Sequence, residues 1–445
     1  MAKAKKITSE SINSPKGMRD IMGQEYYDYQ GFFEKAQEIA IYYGFKPIET
    51  PVLEREDVFT SGVGQNTDIV EKEMYFLKAK GRDHLVMRPE GTAAIARAYI
   101  EHGMRNQPQP VMLYYYGPFF RHERPQKGRL RELRQFGVEI LGTDKSVADA
   151  IVIKTTMTIL EEAGFKNLSV QINSIGDKVC RVAYIKALTA YYKKQTRSLC
   201  PHCVKRLKTN PLRLLDCKNK KCIELKEEAP QTVGFLCNDC KKHFKEVLEH
   251  LEASEIPYMI NSNLVRGIDY YTKTVFEIIS EAEQDCCDEN SKDNKKEIIS
   301  EPLSLAGGGR YDYLLKKLGH KKDVQAVGAS IGVDRVIMSE EHTALTPRII
   351  KKPKIYFIQL GFEAKMKSLT IIEVLRKARI PVAQSLSKDN LSSQLAMAEK
   401  MKVPYTIIFG QKEALDGTVI VRKMKNRSQK SVKIEKLSDY IKHLK

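Results

Sequence analysis

Apolar residues recur at helical spacing over residues 26–43. Phe32, Ala36, Ile39, Ala40 and Tyr43 fall on one face and Gly44 supplies a stop, so the stretch predicts an amphipathic helix. The pattern turns extended over 45–53. Pro47 and Pro51 remove backbone donors there, which predicts an edge strand rather than a central one. An Ala-rich helix is expected at 92–100. Two long extended runs, 111–121 and 133–141, enclose a charged loop containing Pro and Gly at 122–131, the pattern of a long antiparallel hairpin. Further strands are expected at 169–172, 275–279 and 303–306, and the acidic, then basic stretch 281–296 reads as a mobile loop between two of them.

Helices and cysteines interrupt this pattern at about 178–257, which reads as an inserted subdomain. A basic linker with prolines, 347–353, closes the large α+β domain at about residue 346. Beyond it come strand 355–360, helix 364–378, strand 381–383, helix 391–401 and strand 405–409. That alternation predicts a small α/β domain over 353–445 with a mostly parallel sheet.

Charge sharpens the picture of this last domain. Of the formal net charge of +18, residues 351–445 supply most, with 21 Lys and Arg against eight Asp and Glu. Clustering on this scale favours a polyanion-binding face over a merely solvated one, since Lys and Arg neutralise phosphates. No apolar run approaches the roughly 20 residues of a membrane helix. Residues 1–14 are basic and polar without an apolar core, so neither a secretory signal nor an organelle presequence is expected, and the cytoplasm is the expected compartment.

Eight of the nine cysteines lie between Cys200 and Cys287, a clustering that in a cytosolic chain speaks for metal before disulfides. Cys200 with Cys203 and Cys237 with Cys240 have the spacing of a four-Cys structural zinc site, with Cys217 and Cys222 between them. The competing reading is a set of buried free thiols. Cys286 and Cys287 read as plain surface thiols.

The strand 133–141 carries the most chemistry. Side chains alternate across a strand, so Gln135, Gly137 and Glu139 share a face where a core strand would be apolar. They suit the floor of a polar pocket, with Gly137 leaving room for a ligand; a solvent-facing strand side is the alternative. Next to it Arg121, Arg124, Arg129, Arg131 and Arg134 crowd one loop, a density suited to clamping phosphates. Arg266-Gly267-Ile268-Asp269-Tyr270-Tyr271 brings a cation and two phenols to a strand end. Gly307-Gly308-Gly309-Arg310-Tyr311-Asp312 permits close approach of a ligand to backbone. It is neither a Walker loop nor a dinucleotide fingerprint. A last Gly-containing passage, 327–335, leads from a strand into a helix bearing Arg335.

In this order, the motifs resemble those of the class II aminoacyl-tRNA synthetases, and among them the histidine-specific enzymes. The resemblance runs from Pro15-Lys16-Gly17-Met18-Arg19-Asp20 to the C-terminal domain. The helix leading to Pro51 is similar to the family's first motif, whose strand packs at a dimer interface. The hairpin from Tyr116 to Glu139 matches the second motif and Gly332 to Arg335 the third. The Arg266 and Arg310-Tyr311-Asp312 clusters resemble the two histidine-specific signatures.

The resemblance implies an antiparallel sheet flanked by helices, a helical insertion and a C-terminal anticodon-binding domain. It implies a homodimer that consumes ATP with Mg2+, activates histidine and charges tRNA(His). It assigns Glu90, Thr92 and Gln135 to the histidine α-ammonium, Glu139, Tyr271 and Tyr270 to the imidazole, and Gly91 to the histidine site. Arg121, Arg266 and Arg335 are assigned to ATP, the first two beside the reacting α-phosphate. Gln126 and Arg129 are assigned to the tRNA acceptor end. Leu133, Arg134, Tyr313 and Gln411 depart from the family's usual residues, none of them at an inferred substrate contact. The rival reading is a non-catalytic paralogue serving as regulatory subunit of ATP phosphoribosyltransferase. That class typically lacks both the Arg266 signature and the basic C-terminal domain, and this chain has both.

Overall fold

In the computed structural model, residues 12–444 are described except 65–66, 79–83, 127, 281–302, 349–352 and 385–389. The expected loop at 281–296 lies outside the described residues. The chain divides into two units, Met1–Pro347 and Arg348–Lys445.

The first unit is built on an eight-stranded sheet. Its order is Lys46–Pro47, Val111–Phe120, Glu132–Leu141, Ala326–Gly332, Leu303–Arg310, Thr272–Ser280, Leu168–Ser174 and Tyr258–Ile260. All neighbours are antiparallel except the two outermost strands, each of which pairs parallel with the strand inside it. Alternation gives the sheet two faces. On one, Tyr114, Phe136, Val138 and Ile140 pack against helices Gly23–Tyr42 and Ser146–Glu162. On the other, Tyr115, Gly137 and Glu139 face the functional cleft.

The first helix begins at Gly23, three residues earlier than the apolar pattern indicates, because Met22 is extended and the exposed first turn carries no apolar face. The expected single strand 45–53 is broken. Lys46–Pro47 forms the sheet edge, as the prolines require, and the chain then leaves for Leu53–Arg55 in a separate three-stranded sheet.

The stretch 178–257 is not one subdomain. A small core of its own, from Tyr184 to Ala229, belongs to the insertion. Helix Asn238–Ala253 instead buries Phe244, Val247 and Leu251 in the main core.

Arg310 is wholly buried and ion-paired with Asp149 at 2.7 Å; it also donates to the Lys145 and Thr143 carbonyls. It thus ties a sheet strand to helix Ser146–Glu162 and does not reach the cleft. Truncating one member leaves the other charge buried and unpaired, so Arg310→Ala is expected to cost about 3–5 kcal/mol. A urea-unfolding curve matching that of the parent chain would remove this role from Arg310.

The second unit is a five-stranded sheet in the order Val382–Gln384, Ile355–Gln359, Tyr405–Phe409, Thr418–Lys423, Gln429–Lys433. Its first three strands are parallel and the last two antiparallel. Helices Phe362–Lys377 and Leu391–Lys400 form the crossovers. The final hairpin goes beyond the alternation read from sequence, because its strands are short and densely charged. No described helix is long and apolar enough to cross a membrane.

Candidate active site

A cleft of about 1040 Å³ lies over the sheet face carrying Gly137. The hairpin register explains how its floor is made. Gly137 stands between Tyr115 and Ser330; the row continues through Gly307 to Glu277 on the next two strands. Residues in register share a face, so one row alternates bulk with glycine.

The glycines make room chiefly for the protein's own side chains, not for a ligand directly. A Cβ at Gly137 or Gly91 would fall on the Tyr115 ring, and one at Gly328 on the Glu139 carboxylate. At Gly307 it would strike the Arg266 guanidinium, and at Gly309 the Tyr271 ring lies 2.9 Å away. The sequence expectations for Gly137 and for the triple glycine are corrected accordingly: the close approach is real, but Tyr115, Arg266 and Tyr271 make it.

Glu90 is buried before helix Thr92–Glu101. Its two oxygens accept from the Thr92 and Ala93 backbone N–H groups, both at 2.8 Å, and the Tyr270 hydroxyl donates to it at 3.2 Å. These bonds satisfy otherwise orphaned helix donors. Burial raises its pKa, against the pull of those N–H groups and of Arg121.

Glu139 is completely buried beneath the cleft floor. It accepts from the Tyr311 hydroxyl at 2.6 Å, Thr92 Oγ1 at 2.7 Å and, weakly, the Tyr115 hydroxyl at 3.5 Å. Burial pushes its carboxyl up to about 8, although the hydroxyls favour the ionised form.

Arg266 lies across Gly307, pairs closely with Glu277 and stands 5.9 Å from the Tyr271 ring. Burial works against its charge, but Glu277 and the tyrosines more than compensate and raise its pKa. Arg121 is anchored by its Nε to the Pro89 carbonyl at 2.8 Å, leaving its outer nitrogens toward Glu123 at 3.8 Å. Arg335 donates to the Ser304 carbonyl at 2.7 Å and the Gly128 carbonyl at 3.3 Å. Gln126 and Arg129 close a tight turn through reciprocal backbone bonds of 3.1 and 2.8 Å, with both side chains exposed.

The cleft wall thus gathers Glu90, Gly91, Thr92, Arg121, Gln126, Arg129, Gln135, Arg266, Tyr270, Tyr271 and Arg335 from a span of over 200 residues; Glu139 alone lies below it. Sequence reasoning gave no role to Tyr115 or Tyr311. The Tyr115 signal was there, as a large residue directly opposite a glycine once the hairpin register is counted. Arg213 and Lys218, from the insertion, also line the cleft. No motif marks them.

The expected pairing of Cys200 and Cys203 with Cys237 and Cys240 is not what the fold makes. Cys200 and Cys203 join Cys217 and Cys222, while Cys237 and Cys240 join Asp177 and Cys180. The two pairs part because helix Asn238–Ala253 leaves the insertion for the main core.

An antiparallel sheet carrying an Arg-bearing hairpin, backed by helices and followed by a small α/β unit, is the class II aminoacyl-tRNA synthetase architecture. The sequence profile described as "Histidyl-tRNA synthetase" matches residues 17–336, and that of an "Anticodon binding domain" matches 354–444. The chain is 37% identical over 431 residues to histidine–tRNA ligase of Caldicellulosiruptor bescii, covering 97% of this chain and 98% of that one. It is 37% identical over 424 residues to the Dehalococcoides mccartyi enzyme of the same name, covering 95% and 97%. The crystal structure of apo Staphylococcus aureus histidyl-tRNA synthetase superposes with a TM-score of 0.76 at 29% identity, covering 97% of this chain and all of that one. The chain belongs to the histidyl-tRNA synthetase family.

Proposed function

We propose that the cleft condenses L-histidine with ATP to histidyl-adenylate and pyrophosphate, then passes the histidyl group to the 3′ end of tRNA(His) with release of AMP. The observation that carries this reading is the pair of buried carboxylates, Glu90 and Glu139, linked through Thr92 beside the Arg121 and Arg266 guanidiniums. Two buried carboxyl groups next to two cations suit a substrate with an ammonium, an imidazole and a reacting phosphate.

In this reading Glu90, Thr92 and Gln135 accept the protons of the α-ammonium. A carboxylate offers about four acceptor positions, and Glu139 has three hydroxyl donors, one of them long. One imidazole N–H can therefore be taken up, most readily in place of the Tyr115 contact. Tyr270 and Tyr271 flank the ring. A site built this way rejects apolar side chains of similar size, whose binding leaves these groups unpaired.

The histidine carboxylate oxygen attacks the α-phosphorus in line, the new O–P bond forms, and the bond to pyrophosphate breaks. Charge growing on the phosphoryl oxygens is met by Arg121 and Arg266, which are already fixed by Pro89 and Glu277. Magnesium would arrive with ATP as part of that substrate, and Glu123 and Glu277, two of several carboxylates lining the cleft, would offer it oxygen ligands of the hard type it prefers. Arg335 covers the nucleotide, and the exposed turn at Gln126 and Arg129 meets the acceptor end. The basic second unit grips the anticodon stem through phosphates.

A second copy of the chain is the partner we propose for the apolar surface on either side of the edge strand Lys46–Pro47, where Ile41 and Tyr42 at the end of the first helix and Val52 and Leu53 after the strand are exposed. The proposed compartment is the cytoplasm, where charged tRNA is consumed.

ATP–pyrophosphate exchange without tRNA, run with each of the twenty amino acids, tests the reading. Exchange is expected with histidine alone. No exchange from folded protein would favour the regulatory paralogue, and exchange with another amino acid would overturn the pocket assignment.

A further inference from the structure

We infer that the chain carries two structural zinc sites: one of four thiolates, Cys200, Cys203, Cys217 and Cys222, and one of three thiolates and a carboxylate, Cys180, Cys237, Cys240 and Asp177. In each set the ligand atoms lie within 4.8 Å of one another. Thiolates bound to one zinc at about 2.3 Å sit about 3.8 Å apart along the edges of a tetrahedron. Cys200 Sγ lies 3.8 Å from Cys217 Sγ. That compactness fits a single ion, because a multi-iron cluster would spread its thiolates around a core of iron and sulfide. Soft thiolates select zinc over magnesium or calcium.

The backbone builds the same device three times. Cys200 and Cys237 each stand immediately before a helix, Pro201–Thr209 and Asn238–Ala253, with Cys203 and Cys240 in the first turn. Asp177 and Cys180 stand the same way at helix Lys178–Lys194. Asp177 Oδ1 accepts from the Val179 and Cys180 N–H groups at 3.0 and 2.9 Å. Its other oxygen accepts from Cys237 Sγ at 3.9 Å, which places it among the ligand atoms of the same set. Backbone N–H groups also point at sulfur. The Cys200 N–H donates to Cys222 Sγ at 3.4 Å and the Cys237 N–H to Cys180 Sγ at 3.0 Å. Such bonds stabilise thiolate charge and orient the ligands around a metal. Cys203, Cys217, Cys222, Cys180 and Cys240 are buried. Closed sites of four protein ligands are structural rather than catalytic.

The first site stands at the cleft wall itself. The loop closed by Cys217 carries Arg213, which pairs with Asp68 at 2.6 Å, while Cys217 and Lys218 line the cleft. The first ion therefore fixes the insertion's share of the cleft wall. The second fastens the insertion's root, joining the starts of the helices that lead into and out of it. An insertion whose own core runs only from Tyr184 to Ala229 is of the size that commonly needs such a staple.

The test is metal analysis of the full-length protein, purified without chelator from zinc-supplemented cells, by plasma mass spectrometry and native mass spectrometry. About two zinc ions per chain are expected. Cys203→Ser and Cys240→Ser are each expected to keep about one ion, and the double variant none. Cobalt titrated into metal-stripped wild-type protein should develop thiolate-to-metal absorption in two successive equivalents, a readout that depends on no variant. Absence of bound metal, a single ion per chain, an iron chromophore, or disulfides within either set would each overturn the inference.

Discussion

Replacing Arg266 by glutamine is expected to lower histidine-dependent ATP–pyrophosphate exchange by about 1000-fold in kcat, with little change in the KM for ATP. The guanidinium is held before any substrate arrives, by Glu277 on one side and by the space above Gly307 on the other. A preorganised charge of this kind acts mainly where charge develops, on the phosphoryl oxygens, and needs no rearrangement during the reaction. Glutamine keeps much of the length but loses the charge, and Glu277 loses its ion-pair partner. Glu277 is only partly buried, so the fold should survive. The check is the steady-state exchange rate beside an unfolding curve. Exchange within about tenfold of the parent chain, from folded protein, would sink the role.

Glu139→Gln is expected to reduce kcat/KM for histidine by roughly 100-fold or more while leaving ATP binding close to normal. Equal losses for both ligands would move Glu139 out of the histidine pocket. The same substitution carries a second signature, in stability. In the ligand-free protein burial pushes Glu139 up to about 8, above the ordinary carboxylate value of 4.5. The folded chain thus binds this proton more tightly than the unfolded chain does. Its stabilising contribution is complete below the unfolded value and is lost as pH rises toward 8, a loss on the order of 4 kcal/mol. Relative to the parent chain, the Gln variant should therefore gain stability between pH 5 and pH 8. Denaturation midpoints at these two pH values give the answer, and a stability difference independent of pH would contradict it.

Local pattern made much of this protein legible. The first helix follows from the spacing of Phe32, Ala36, Ile39 and Ala40. The central hairpin follows from two long extended runs around a polar loop, and Tyr405–Phe409 has the bounds its apolar run indicates. Elements whose reason lies elsewhere in the fold were harder to read. The extended stretch 45–53 divides between two sheets because its partners do. Helix Asn238–Ala253 belongs to a core that no local signal reveals. Arg310 sits in a signature read as part of a ligand site, yet its partner Asp149 lies 161 positions away and makes it a strut.

The sequence by itself determined which chemistry is available: the carboxylates, the arginines, the glycines that must stand on a sheet, the charge of the C-terminal unit and the presence of paired cysteines. These follow from residue type and from the periods of strand and helix, which need no knowledge of distant neighbours. Tertiary structure alone decided who meets whom. It set Tyr115 into the space of Gly137, laid Arg266 over Gly307, sank Glu139 beneath the floor under three hydroxyls, and sorted seven cysteines and an aspartate into two separate cages. Those pairings depend on strand register and on how helices pack against the sheet, which the chain resolves only by burying its apolar faces all together.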